Sequence, residues 1–313
     1  MRRKRSENIG VALCTLGQPQ QAIERFERAK EVYLCLGAEK EAAGCNMNIG
    51  SALWMLGQPR QAIEHHERAR AVYLHLGLDE KVATCDMSIG VALDSLGQPQ
   101  EAIEHHQRAK GLFLHLGFYK EAADCGNNIG SALYALNQPH QAIEHYSRAK
   151  EVHLRLGLEQ EVAGCDKNIG IALQTLGQPQ LSIEQYERAK SVYLRLSLDK
   201  EVAGCDMSIG AGLYKLGRLQ QAIEHHEQAR IVFLRLGLDK EAANCDLNIG
   251  AALQGQQAIE RLERAKAVFL RLNLEKEIAA CNQNIGAVLA SLVTGGGYRK
   301  WPHHVPASPR SSG

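Results

Sequence analysis

The stretch from Asp79 to Gly117, DEKVATCDMSIGVALDSLGQPQEAIEHHQRAKGLFLHLG, reads as two helices joined by a turn. In its first half Val82, Ala83, Ile89, Ala92, Leu93 and Leu96 recur near the 3.6-residue period of a helix. Asp79 suits the N-cap of that helix, and Gly97 stops it. Pro99 fits the first turn of the next helix, where a missing N–H would have had no partner anyway. Ala102, Ile103, His106, Ala109, Leu112, Phe113 and Leu116 form its predicted buried stripe, and Gly117 ends the hairpin. One such pair cannot bury its own apolar faces, so hairpins of this kind must stack.

The rest of the chain repeats the hairpin. Asn-Ile-Gly or Ser-Ile-Gly ends at Gly10, Gly50, Gly90, Gly130, Gly170, Gly210 and Gly250, each 40 residues after the last, and then at Gly286 after 36. The four lost residues fall within Ala251 to Gln257, where the Leu-Gly-Gln-Pro turn is missing, which predicts a distorted or loosely packed pair. Hairpin ends recur at Gly37, Gly77, Gly157 and Gly237, with Asn273 acceptable in left-handed backbone and Ser197 less so. The pattern predicts an all-α solenoid over residues 1–293, with about seven hairpins and a capping helix from about Glu275 to Leu292. From Thr294 to Gly313 the period vanishes, and a disordered tail over 294–313 is expected.

Composition narrows the function. Among 313 residues, 36 Lys and Arg balance 35 Asp and Glu, leaving no basic field for nucleic acid or an anionic membrane. No run approaches eighteen apolar residues, and MRRKR leads into SENIG without a signal-type stretch, so no membrane insertion and a cytoplasmic location are expected. The short basic start, Arg2 to Arg5, could serve as a nuclear signal or polyanion contact, but four residues are a weak signal and a free cap is the commoner reading.

Several columns invite chemistry. Cys45, Cys85, Cys125, Cys165, Cys205, Cys245 and Cys281 each stand five residues before the Gly. Their spacing matches packed helices about 8–10 Å apart, too far for disulfides, so they read as small buried thiols. The doublets His65-His66, His105-His106 and His225-His226 lack chelating spacing. The second member shares its column with Phe26, Tyr146, Tyr186 and Leu262, a half-buried bulky site, and the first shares with Arg25, Gln185 and Arg261, an exposed one. Glu64 with Arg68, Glu104 with Arg108 and Glu144 with Arg148 form an i, i+4 ladder on a solvated face, and the carboxylates read generally as surface partners. No phosphate loop, nucleophile elbow or zinc-binding helix occurs, so neither an enzyme nor a metal or other cofactor is expected.

The unit resembles the tetratricopeptide repeat, whose Leu-Gly, large residue, Ala, aromatic, Ala pattern is matched by Ile49-Gly50, Leu53, Ala62, His66 and Ala69 over about residues 2 to 292. The early Trp of that pattern is replaced by Asn46 and the closing Pro by Leu74. The 40-residue unit is similar to tetratricopeptide proteins of the Pins and rapsyn type, and more loosely to kinesin light chains. This resemblance implies a right-handed superhelix whose first helices line a concave groove holding partner segments. It also implies that Asn8, Asn48, Ser88, Asn128, Asn168, Ser208 and Asn248, with Asn284, face that groove. Amides so spaced can serve a peptide backbone, or can instead tie helices together within the fold. Beside them stand Val11, Ser51, Val91, Ser131, Ile171, Ala211 and Ala251. Trp54, Met55, Met47, Met87, Tyr134 and Tyr214 offer apolar anchors, although the two tyrosines could equally be buried between hairpins. Lys167 and Lys215 are the only evident cations, too few for a clamp on C-terminal carboxylates.

The expected function is a non-enzymatic scaffold for extended or amphipathic peptide segments of partner proteins, in intracellular signalling. Two alternatives remain: a self-associating module or fragment of a larger regulatory protein, and a metal-dependent hydrolase.

Overall fold

A computed structural model describes residues 2–293, with side chains from Asn8 onward. The expected tail over 294–313 lies outside the described residues, as do the side chains of Arg2 to Arg5. The described residues form fifteen α-helices and fall into two compact units, Met1–Gly157 and Leu158–Gly313.

The first unit holds four hairpins. Its first helices are α1 (Arg2–Thr15), α3 (Glu39–Met55), α5 (Asp79–Ser95) and α7 (Tyr119–Ala135), followed in turn by the second helices α2 (Pro19–Cys35), α4 (Pro59–His75), α6 (Pro99–His115) and α8 (Pro139–Arg155). The second unit pairs α9 (Glu159–Thr175) with α10 (Pro179–Arg195), α11 (Asp199–Lys215) with α12 (Leu219–Arg235), and α13 (Asp239–Ala252) with α14 (Gly255–Arg271). It ends on the unpaired α15 (Glu275–Val293). Seven hairpins and a last single helix are therefore present, as the repeat predicts.

The turns follow from local chemistry. After α3, Gly57 adopts φ +70°, its N–H reaches Trp54 O at 2.9 Å, and Gln58 N–H reaches Leu53 O at 3.0 Å. This pair of bonds satisfies carbonyls that the helix end leaves open, and it needs left-handed backbone at one residue. Asn137, Ser197 and Asn273 take the same conformation without being glycine. The expectation for Asp79 is corrected: Leu78 is the N-cap, without a side-chain cap bond, and Asp79 is the first helical residue of α5. There its charge favours the positive end of the helix dipole instead. Pro99 opens α6 as expected.

Packing explains why the hairpins stack. One core cluster joins Phe26 of α2 to Ile49 and Leu53 of α3 and Ala62 of α4, and another joins Tyr186 of α10 to Ile209 of α11 and Ala222 of α12. Each core thus draws on two hairpins, and neither hairpin would keep water from it alone. The predicted stripe of α6 is buried at Ala102, Ile103, His106, Ala109 and Phe113, but Leu112 is half-buried and Leu116 is 39% exposed. Leu116 is the C-cap residue, so it has already left the helical face that carries the stripe.

The shortened hairpin is not loose. The missing residues shorten α13 to 14 residues and replace the turn by extended backbone at Leu253 and Gln254. Ala258, Leu262, Ala265 and Phe269 of α14 remain fully buried against Ala243, Leu247 and Cys281. The deletion therefore removes a turn of helix and not the contact that closes the pair.

Within the first unit α1 touches α3, α3 touches α5 and α5 touches α7; in the second, α11 touches α13 and α13 touches α15. Among the described residues no two second helices approach so closely. The first helices are thus the crowded row of each stack.

Candidate functional site

On α3 the buried residues Ala42, Cys45, Ile49, Gly50 and Leu53 occupy one side. At about 100° per residue, Asn48, Ser51 and Met55 then fall on one strip of the opposite side, with Met47 and Trp54 flanking it. Burial agrees: Ser51 and Met55 are exposed, and Met47, Asn48 and Trp54 are half-buried. The same pattern places Asn128, Ser131 and Tyr134 on α7.

The polar column divides into three kinds. Ser88 and Ser208, both half-buried, donate to their own helices, at Thr84 O and Gly204 O, each 3.0 Å away. Asn168 is half-buried and has an interaction within the chain. Among the described residues, no hydrogen bond engages the half-buried amides of Asn48, Asn128 and Asn248, and Asn8 is exposed. The two amides of the first unit therefore do not tie helices together. Trp54 Nε1 donates to Ser95 Oγ at 3.4 Å, linking α3 to α5, while Tyr134 and Tyr214 are half-buried; burial raises the Tyr214 phenol above its ordinary range.

Beneath this wall lies a set of residues that the column reading misplaced. The carboxylates of Asp86, Asp166, Asp206 and Asp246 are buried, not surface partners. Asp86 on α5 accepts from Arg70 Nε of α4 at 2.9 Å and pairs with His105 Nδ1 of α6 at 2.8 Å, with Arg108 Nε 3.5 Å away. Asp206 on α11 likewise joins Lys190 of α10 at 2.6 Å and His225 of α12 at 2.7 Å. Asp246 on α13 joins Arg230 of α12 and Arg261 of α14, each at 2.8 Å. Burial alone pushes the Asp86 carboxyl up, but the hydrogen bonds of His105 and Arg70 and the Arg70 charge hold it below its ordinary value. The signal was present in the sequence: an Asp after the cysteine at four of the 40-residue steps.

The histidine columns change accordingly. His65, His105 and His225, read as exposed, are half-buried; His65 Nδ1 lies 3.2 Å from Asn46 Oδ1. His66, His106 and His226, read as half-buried, are fully buried against glycines. His66 and His226 are pushed down to about 4 by burial and then by the neighbouring His65 and His225. In the charge ladder Glu64–Arg68 and Glu144–Arg148 are present at 3.4 and 3.7 Å, whereas Arg108 turns to Asp86.

The seven column cysteines are buried free thiols, and burial pushes Cys85, Cys125 and Cys205 up to about 12. Among the described residues no group of three or more His, Cys, Asp or Glu could hold a metal ion. No helix among them is long and apolar enough to cross a membrane.

Residues 5–75 and 41–115 match the tetratricopeptide repeat family. No curated protein matches the chain. Among solved structures, a Podosopora anserina putative kinesin light chain with nearly identical TPR-like repeats is 18% identical, covering 62% of this chain and 96% of its own, with TM-score 0.54. The apo form of RapI is 11% identical, covering 81% and 99%, with TM-score 0.66. The Rap conjugation gene regulator of the plasmid pLS20, solved in complex with a Phr peptide, is 14% identical, covering 94% and 95%, with TM-score 0.60. The fold is tetratricopeptide-like.

Proposed function

We propose that this chain is a non-catalytic scaffold whose first helices bind extended or amphipathic peptide segments of partner proteins. The observation that carries this reading is the pair of half-buried amides, Asn48 and Asn128, left without hydrogen bonds on the crowded row of the first unit. A half-buried amide has lost part of its water, so a peptide C=O or N–H that fills its hydrogen bonds costs little further desolvation. Trp54, Met55 and Tyr134 beside them supply apolar surface for side chains of the same peptide, Met being adaptable in shape. Asn8 and Ser88 belong to the same column in the first unit, and the second unit carries its own column of Asn168, Ser208 and Asn248 with Tyr214. A Rap regulator of similar fold holds a peptide, which supports the reading at the level of fold.

The repeat is of the 40-residue Pins and rapsyn kind, and the protein works in the cytoplasm as a signalling adaptor. Panning phage-displayed random dodecapeptides against the full chain tests the proposal. Enriched sequences whose binding perturbs the Asn48 and Asn128 side-chain amide resonances support it. Enriched peptides that perturb only second-helix residues, or no enrichment over a bare surface, refute it.

A further inference from the structure

At three junctions a buried carboxylate on a first helix is held by basic groups from the second helices on either side; at the α7 junction no side chain stands in that place and the basic groups remain. Position 126 of α7, equivalent to Asp86, Asp206 and Asp246, is Gly126. Lys110 of α6 stands where Arg70, Lys190 and Arg230 stand, and its Nζ lies 3.6 Å from the point a Cβ on Gly126 would occupy. Nothing else beyond the glycine's own stretch of helix comes within 4 Å of that point. His145 of α8 stands where His105 and His225 stand. Its Nδ1, the atom that meets the carboxylate in both of those, is buried without a hydrogen-bond partner.

Local rescue is missing as well. Lys30, whose neighbouring helix carries the neutral Asn46, pairs with Glu27. Three residues before Lys110 stands Gln107, and no ion pair engages Lys110 among the described residues. Arg148, equivalent to the Arg108 that reaches Asp86, is largely exposed on the same helix as His145.

We propose that the junction of α6, α7 and α8 is a binding site for an exogenous carboxylate, seated in the space beside Gly126 and accepting hydrogen bonds from Lys110 Nζ and His145 Nδ1. The site copies a geometry that this chain builds with its own aspartates three times, so a carboxylate is the anion it fits. The His145 imidazole is held below its ordinary range by burial, then by Lys110 of α6 and Arg148 of α8, with Glu144 of α8 opposing them. A bound anion reverses that balance. At other repeats the equivalent positions border open space: His105 lines a crevice of about 640 Å³ with Arg60, Ile63 and Glu67, and Arg261 lines one of about 350 Å³. Lys110 and His145 are themselves only half-buried.

The carboxylate could come from a free small acid or from an Asp side chain of a partner segment. The test is thermal unfolding of the full chain in sodium formate, sodium acetate or N-acetyl-aspartate N-methylamide, each against sodium chloride at equal ionic strength, with the His145 imidazole followed by NMR. The wild-type midpoint should rise with carboxylate over chloride, and the His145 resonances should shift at the same concentrations. A tighter response to formate or acetate assigns a free acid; a tighter response to the capped aspartate assigns a partner side chain. Gly126→Asp should have a raised midpoint and no carboxylate response, because its own side chain fills the site. Should that variant fail to fold by circular dichroism, Lys110→Met replaces it, with affinity for formate lowered roughly tenfold or more. Equal wild-type midpoints and unmoved His145 resonances in formate and chloride overturn the proposal, as does a wild-type response that persists in the folded Gly126→Asp or in Lys110→Met.

Discussion

The ring of Tyr146 packs against the backbone of Gly130: a Cβ on that glycine would stand 2.6 Å from Tyr146 Cε1 and 3.2 Å from the Ala142 carbonyl oxygen. The same relation joins Gly50 to His66, Gly90 to His106, Gly210 to His226 and Gly250 to Leu262. Each hairpin is therefore closed by one large side chain of its second helix filling the place of an absent side chain on its first.

Replacing Gly130 should accordingly be costly. Gly130→Leu forces the two helices apart or drives Tyr146 off its rotamer, and a loss of about 1–3 kcal/mol or more is expected by overpacking. Gly204→Ala is the contrasting control, since nothing lies within 4 Å of its added Cβ, and it should stabilise α11 by about 0.5–1 kcal/mol. Urea unfolding of both variants checks the pair; an unchanged Gly130→Leu midpoint would show that the ring contact does not close the hairpin.

The buried histidines set an acid limit on stability. His66 and His226 titrate near 4 in the folded chain and near 6.5 when unfolded, so the unfolded chain binds more protons between those values. Their contribution is complete above about pH 6.5 and is lost as pH falls from there toward 4, at up to about 1.4 kcal/mol per pH unit for each ring. His66→Tyr should flatten that slope. Ser51 stands opposite it as Ser131 stands opposite Tyr146, whose hydroxyl donates to Ser131 Oγ at 3.3 Å, so the new ring should gain the same bond. Denaturant midpoints at pH 7, 6, 5 and 4.5 measure the slope directly, and an identical pH profile in the variant would count against this assignment.

Peptide binding gives a third expectation. Asn48→Ala with Asn128→Ala should leave the helical circular dichroism intact, because neither amide supports the fold, and should weaken a selected peptide roughly tenfold or more through two lost hydrogen bonds. Fluorescence anisotropy of the labelled peptide reads the affinity. Equal affinity for wild type and double variant would place the peptide elsewhere.

A fourth concerns the turn before α11. Ser197 sits at φ +56°, a conformation that an L side chain adopts at a cost of about 1–2 kcal/mol and glycine adopts freely. Ser197→Gly should therefore raise stability, by somewhat less than that because glycine also loosens the unfolded chain. Chemical unfolding gives the sign, and a destabilised variant would show that the left-handed backbone at Ser197 carries no such cost.

Helix ends and turns were legible in the residues because each depends on a few neighbours in the chain. Pro99 at a first turn, Gly57 in left-handed backbone and the 40-residue return of Ile-Gly are local facts, and the all-α solenoid follows from them. Leu116 and Asp79 were misplaced by one step at a helix boundary, where the apolar period and the true cap residue part company. The buried aspartates could not be told from surface acids in this way. Whether Asp86 meets water depends on α4 and α6, which belong to two different hairpins and bring Arg70 and His105 to it from opposite sides. The polar column divides the two: Ser88 spends its hydroxyl on Thr84 O one turn back in its own helix, a local bond, whereas only the packed helices decide that the Asn48 amide meets no partner. The sequence by itself determined the helices, their turns and the obligation to stack, since these rest on backbone conformation and period. Tertiary structure alone decided which polar groups are paired, buried or left open, because that depends on distances between side chains that no spacing along the chain encodes.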